Sequence, residues 1–207
     1  MDRAALMDHL SRQIHDQRVL RAMAAVPRDV FVPEDVRELA WENGALPIGE
    51  GQTISQPTVV ARMCELLELR GDETVLDVGT GSGYHAAVLA RLAARVVSIE
   101  LHASLSRRAR AALDAAGVAD VTLVTGDGSR GYPDAAPYDA INVAAASAHG
   151  VPPALLEQLA DGGRIVIPSD GGGQRLLVVR RHGGRLEYED HDPVRFVPLV
   201  TGSQSGG

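Results

Sequence analysis

The chain has 207 residues, 45% of them apolar and 23% charged, with a formal net charge of −7. That length and balance predict one soluble globular domain with its own core, and no basic run invites a nucleic acid. Three further classes are excluded: no stretch reaches the roughly 20 apolar residues of a membrane span, Cys64 as the single cysteine cannot form an intramolecular disulfide, and the absence of lysine rules out lysine chemistry.

The N-terminus, MDRAALMDHLSRQ, lacks the apolar core of a secretory signal, so a cytoplasmic protein is expected. Residues 3–26 carry Leu6, Leu10, Ile14, Val19, Leu20 and Met23 at roughly helical spacing. Pro27 ends that segment, and Pro33 starts a short second one through Trp41. Residues 43–54, NGALPIGEGQTI, are punctuated by glycine and proline and predict a loop. Ser55, as a cap, and Pro57 then open a helix with Val59, Val60, Met63, Leu66 and Leu67 on its inner face. Cys64 shares an apolar face there and is read as packing.

After Gly71 the pattern alternates. Short apolar strands are predicted at 75–78, 96–99, 121–124, 140–143 and 165–167, with helices at 84–93, 103–116 and 152–160 between most of them. Two further strands, 176–180 and 196–199, are predicted to join through the turn His182-Gly183-Gly184. The fold class is therefore α/β: a doubly wound, mostly parallel seven-stranded Rossmann-like sheet with an antiparallel edge and an N-terminal helical extension. The expected organisation is an extension over 1–56, a core over 57–201 and a disordered polar tail at 202–207. The seven histidines show no metal-ligand spacing, so no metal site is expected. No unexplained apolar surface stripe is visible, so a monomer is expected.

Residues 74–100 read TVLDVGTGSGYHAAVLARLAARVVSIE, an apolar run, a glycine turn, a helix-like stretch and a second apolar run ending in glutamate. Gly79, Gly81 and Gly83 permit close backbone approach to a ligand. Glu100, at the end of the second strand, is placed to accept from a ribose diol. The spacing is GxGxG, with Tyr84 where a dinucleotide site has its third glycine, and Asp77 would repel a pyrophosphate. S-adenosyl-L-methionine carries no phosphate and two cationic groups, so a carboxylate beside the turn suits it. A nicotinamide oxidoreductase and a glycine loop without ligand are the competing interpretations. Gly79, Glu100, Asp127 and residues 144–146 all follow strand ends and converge on one crevice. Asp127, with Gly128, could bind the adenine amino group or could serve as an Asx-turn cap.

Seven motifs extend the comparison along the chain: VPRDVFVP (26–33), LPIGEGQTISQP (46–57), DVGTGSGYHAAVLA (77–90), SIE (98–100), GDGSRGYPDAAPYDAI (126–141), LLEQLADGGRIVIP (155–168) and FVPL (196–199). In this order they resemble the protein-L-isoaspartate O-methyltransferases, from about residue 26 to residue 200. The resemblance implies a class I methyltransferase fold and methyl transfer from S-adenosyl-L-methionine to the free carboxyl of L-isoaspartyl residues in proteins or peptides. The ester would then close to a succinimide, and hydrolysis would partly restore aspartate. It implies Ser55 as the active-site serine within the loop over the acceptor. Thr53 and Ile54 would line cofactor and acceptor. The cofactor would rest on Asp77, Gly79, Thr80, Gly81, Ser82, Gly83, Glu100, Leu101, Asp127, Gly128 and Gln174. Val194 and Phe196 would stand on the side where substrate backbone pairs.

Such chemistry needs no base, because a carboxyl of pKa near about 4 is already ionised at neutral pH. The sequence departs from the family at Asn43, usually aspartate, at Ala144, usually threonine, and at Asn142, usually aliphatic. All three are placed near the acceptor on the substrate-binding side. A buried asparagine costs about 1–3 kcal/mol unless its amide is paired, so something polar should face Asn142. Drift with local compensation is one explanation. A changed substrate, an ordinary aspartate in a ribosomally made peptide driven to aspartimide, is the other. A non-catalytic S-adenosylmethionine sensor would keep the fold but not GQTIS and GTGSG together.

Overall fold

A computed structural model of the chain describes residues 1–200; the tail expected at 202–207 lies outside the described residues. The N-terminal extension comprises helices α1 (Arg3–Ser11) and α2 (Gln17–Ala25), followed by two short 3-10 turns, Arg28–Phe31 and Glu34–Leu39. Asp2 and Asp16 cap the two helices, accepting from the backbone N–H of Ala5 (2.8 Å) and Arg18 (2.7 Å). Helix α3 (Pro57–Leu66) packs beside them. Its Glu65 accepts from the N–H of His15 and Asp16, which pins the α1–α2 connection to α3.

Residues 43–54 differ from the expected loop. They include an antiparallel hairpin, β1 (Leu46–Gly49) with β2 (Gln52–Ile54), in which Pro47 pairs with Thr53. Its turn holds Glu50 and Gly51 at φ +54° and +69°, left-handed values that turn residues supply. The start of α3 also differs. Gln56 occupies the N-cap position without a side-chain capping bond, and Ser55 does not cap. The first-turn donors are met from a distant residue: Asn43 Oδ1 accepts from both the N–H (3.1 Å) and the hydroxyl (2.9 Å) of Thr58.

The core is a seven-stranded sheet in the order β5-β4-β3-β6-β7-β8-β9. Strands β3 (Thr74–Val78), β4 (Arg95–Glu100), β5 (Val121–Thr125), β6 (Tyr138–Val143) and β7 (Leu159–Asp170) run parallel. Helices α4 (Tyr84–Leu89), α5 (Ala103–Ala115) and α6 (Pro153–Glu157) are shorter than the spans expected for them. Strands β8 (Gln174–His182) and β9 (Arg185–Pro193) form the antiparallel edge through the expected glycine turn.

The last strand is a correction. It is β9, not 196–199, that pairs with β8. Its sequence RLEYEDHDP is exposed almost throughout, so backbone pairing alone marks it. The segment 196–199 instead meets the stretch that follows β6: Ala146 N–H donates to Val197 O (2.8 Å), and Leu199 N–H donates to Ala146 O (2.7 Å).

Alternation along the strands divides the core in two. Val75, Val96, Val121 and Ala140 face the N-terminal helices, α3 and α4, while Leu76, Val78, Val97, Ile99 and Ile141 face α6. Truncating one such buried aliphatic to alanine costs about 2–5 kcal/mol. β3 has β4 on one side and β6 on the other, so the strand order reverses there and opens a crevice at the carboxyl ends.

Candidate active site

The glycine turn forms the floor of that crevice. Gly79 and Thr80 donate backbone N–H to Ile99 O (2.9 and 3.1 Å), which folds the turn back over the end of β4. Gly79 and Gly81 adopt φ of +92° and +55°, in the region that excludes most side chains. A Cβ added at Gly81 would stand 3.3 Å from Ile48 Cδ1, so the β1–β2 hairpin closes down on the turn from above. Glu50 Oε1, at the hairpin tip, accepts from the Ser104 hydroxyl (2.6 Å) and fastens the tip to α5.

Glu100 is only 5% exposed, and its carboxylate faces the turn. Oε2 accepts from Gly81 N–H (2.8 Å) and Oε1 from His102 N–H (2.9 Å). Each oxygen keeps a lone pair, so the group can still accept from a diol. The crevice is lined by Thr53, Ile54, Ser55, Gly79, Thr80, Gly81, Ser82, Glu100, Leu101, Gly128 and Ala144, all singled out from the sequence. Its wall is completed by residues not foreseen: Gln52, Tyr84, His85, His102 and residues 197–200, the last brought in by the bridge to Ala146. Two left-handed glycines that leave backbone open beside a recessed carboxylate fit a ribose-bearing cofactor with no phosphate.

Ser55, directly after β2 of the hairpin, lines the same crevice as the turn. Its hydroxyl has no hydrogen-bond partner among the described residues. Its carbonyl accepts from Arg28 Nη2 (2.8 Å). Arg28 is fully buried; Nε also donates to Ala40 O (2.9 Å), and the guanidinium lies 4.8 Å from the Tyr84 ring centroid. Burial lowers its pKa to about 10, against smaller opposing effects of Tyr84, so it stays charged at neutral pH.

Other sequence-nominated residues lie outside the crevice lining. Asp77 is fully buried under the turn, because it shares the inward face of β3 with Val75. Ser98 Oγ donates to its Oδ2 (2.6 Å), which leaves Thr80 Oγ1 to donate to Ser98 Oγ (2.6 Å). On the other side Asn142 Nδ2 donates to Asp77 Oδ1 (2.7 Å) and approaches His85 Nδ1 (3.2 Å). With Nδ1 accepting, His85 Nε2–H points at Cys64 Sγ (3.4 Å). Asn142 Nδ2 therefore meets polar partners, as expected, while its buried Oδ1 has no hydrogen-bond partner among the described residues.

Burial dominates the titrations beneath the turn. It pushes Asp77 up to about 6 despite the Ser98 and Asn142 donors, drives His85 down to about 3 and raises the Cys64 thiol. A neutral imidazole committed to two partners is no general base.

Asn43 serves α3 as described, and its Nδ2 lies 2.9 Å from His9 Nε2. Gly83 packs helix on helix: an added Cβ would meet Ala109 Cβ at 3.2 Å. Asp127 accepts from the N–H (2.9 Å) and hydroxyl (2.6 Å) of Ser129, the Asx-turn alternative. Gln174 clamps the segment after β9, accepting from Phe196 N–H (2.6 Å). Val194 and Phe196 are partly buried against the N-terminal side of the core. Of the three departures from the family pattern, Ala144 alone lines the crevice. Among the described residues no His, Cys, Asp and Glu group could hold a metal, and no helix is long and apolar enough to cross a membrane.

Known proteins share this sequence pattern and this fold. The sequence pattern of the protein-L-isoaspartate(D-aspartate) O-methyltransferase family matches residues 1–204. A protein-L-isoaspartate O-methyltransferase of Halorhodospira halophila is 57% identical over 203 residues, covering 97% of this chain and 92% of its own. One from a Roseiflexus species is 53% identical over 203 residues, covering 97% and 93%. Among solved structures, a protein-L-isoaspartate O-methyltransferase superposes with a TM-score of 0.88 at 27% identity, over 96% of this chain and 66% of that one. A Plasmodium falciparum structure described as a putative member, in complex with S-adenosyl-L-homocysteine, shares the fold at a TM-score of 0.85 and 22% identity, over 97% and 99%. The chain belongs to the protein-L-isoaspartate(D-aspartate) O-methyltransferase family, carboxyl methyltransferases that use S-adenosyl-L-methionine.

Proposed function

We propose that this chain methylates the free carboxyl of L-isoaspartyl residues in proteins and peptides, the first step of repair through a succinimide, and that Ser55 orients the acceptor. One observation carries the assignment of roles: Ser55, whose hydroxyl has no hydrogen-bond partner among the described residues, lines the same crevice as the glycine turn and the Glu100 carboxylate. Bound S-adenosyl-L-methionine supplies a methyl group on a sulfonium, which an ionised carboxylate can accept without a base.

The residues have positioning to do. Gly79–Ser82 and Glu100 fix the cofactor end, and the Ser55 hydroxyl donates to one acceptor oxygen so that the other is free to react. Holding two reactants in line can contribute up to about 7–11 kcal/mol in ideal cases. Thr53, Ile54 and residues 197–200 wall the crevice and limit water at the reacting atoms. Neither Asn43 nor Asn142 lines the crevice, so these departures alter its support rather than its surface.

The test is a pair of short peptides differing only in isoaspartate against aspartate, incubated with labelled S-adenosyl-L-methionine. Base-labile methyl ester should form on the isoaspartyl peptide, and Ser55→Ala should lower kcat about tenfold or more while S-adenosylhomocysteine affinity stays within about twofold. Preferential methylation of the aspartyl twin would overturn the substrate. A Ser55→Ala enzyme with unchanged kcat would remove Ser55 from its role.

A further inference from the structure

We infer that Arg28 is a positioning residue for the acceptor: it fixes the Ser55 backbone, and its charge favours a carboxylate beside that serine. This rests on Ser55 facing the acceptor, as proposed above. The guanidinium joins three separate segments. It donates to Ala40 O and Ser55 O, reaches Gly44 O at 3.4 Å, and lies over the Tyr84 ring. Tyr84 begins α4 directly after the glycine turn and lines the crevice with Ser55. One side chain thus ties the acceptor side to the cofactor side.

The charge balance is unusual. Arg28 is fully buried, yet none of the ion pairs among the described residues includes it. Carbonyl dipoles and a ring face solvate it, and Nη1 has no hydrogen-bond partner among the described residues. A buried charge without a counter-ion is costly, and an apolar side chain of similar volume would serve packing alone more cheaply. In this low-dielectric setting the positive charge is felt at the adjoining crevice. The acceptor is an anion. A substrate carboxylate beside Ser55 would supply the compensating charge that the protein withholds.

The experiment compares Arg28→Met, Arg28→Lys, Ser55→Ala and the double variant Arg28→Met/Ser55→Ala in the full chain. Four quantities are read: methylation kinetics on an isoaspartyl peptide, inhibition by its uncharged isoasparaginyl twin, S-adenosylhomocysteine affinity by calorimetry, and Tm. Arg28→Met should raise KM for the isoaspartyl peptide about tenfold, and shift inhibition by the amide twin and cofactor affinity by about twofold at most. Arg28→Lys should recover most of the KM but not kcat, because an ammonium keeps charge and loses the fork. The double variant should be less impaired than the product of the single effects, since both act on one contact.

Equal weakening of the carboxylate peptide and its amide twin would reduce Arg28 to a structural role and overturn the inference. So would independent, multiplicative effects of the two sites. If Arg28→Met does not fold, a wild-type kcat in Arg28→Lys overturns it equally. Unchanged kcat in Ser55→Ala would instead defeat the placement of Ser55, a separate failure.

Discussion

The two walls of the crevice are built differently. The cofactor wall, residues 79–82 with Glu100, sits at the ends of the adjacent parallel strands β3 and β4, and a buried chain from Thr80 through Ser98 to Asp77 secures it. The acceptor wall, with Ser55, is assembled from distant segments by side-chain hydrogen bonds: Arg28 to the Ser55 carbonyl, Asn43 to the Thr58 N–H and Glu50 to the Ser104 hydroxyl. A wall fixed by strand ends keeps its shape when a side chain is lost. A stitched wall depends on each stitch. Cofactor binding should therefore break only when backbone space is invaded, whereas acceptor geometry should respond to changes well away from the substrate.

The sharpest break is Gly81→Val. At φ +55° a branched residue is strained, and its Cβ alone would meet Ile48 Cδ1 at 3.3 Å. Affinity for S-adenosylhomocysteine should fall about 100-fold or more by calorimetry. Retained affinity would mean that the cofactor does not rest on this turn.

Next comes the buried carboxyl under the turn. Asp77 has a folded pKa of about 6, raised from 3.8 chiefly by burial, so the fold favours its neutral form. Its stabilising contribution is fully present below the unfolded value and is lost as pH rises through the folded one. Relative to Asp77→Asn, the wild type should thus be most stable near about pH 4 and lose that advantage by about pH 7 in urea unfolding. Parallel profiles for the two proteins would show that Asp77 does not titrate in this window.

The smallest effect expected is that of Asn43→Ala, which removes the distant cap of α3. A loss of about 1 kcal/mol in unfolding free energy is predicted, with a rise in peptide KM larger than any change in cofactor affinity. Equal changes in both would erase the contrast between the walls.

What the sequence revealed follows the same division. The five parallel strands were readable because strands covered on both faces appear as apolar runs such as TVLDV and RVVSIE. Strand β9 was not, because its apolar alternation is confined to Leu186 and Tyr188, and pairing with β8 defines the rest. The β1–β2 hairpin was hidden by its glycines and proline, which are as typical of loops as of tight turns. The glycine turn and Glu100 were legible as local spacing, yet Asp77 was assigned to the ligand side although its pleat partner Val75 already pointed inward. Arg28 lies inside the motif VPRDVFVP, where its apolar neighbours Val26, Val30 and Phe31 are the available sign of its burial. Asn43 gave no local sign, because it caps a helix 15 residues away.

The central claim is that cofactor and acceptor meet between the glycine turn and the Ser55 hydroxyl. A crystal structure with S-adenosylhomocysteine and an isoaspartyl peptide tests it most directly. The account predicts the ribose hydroxyls on Glu100 and one oxygen of the isoaspartyl carboxylate within hydrogen-bonding distance of Ser55 Oγ. A cofactor lodged elsewhere, or a Ser55 hydroxyl turned away from the carboxylate, would contradict it.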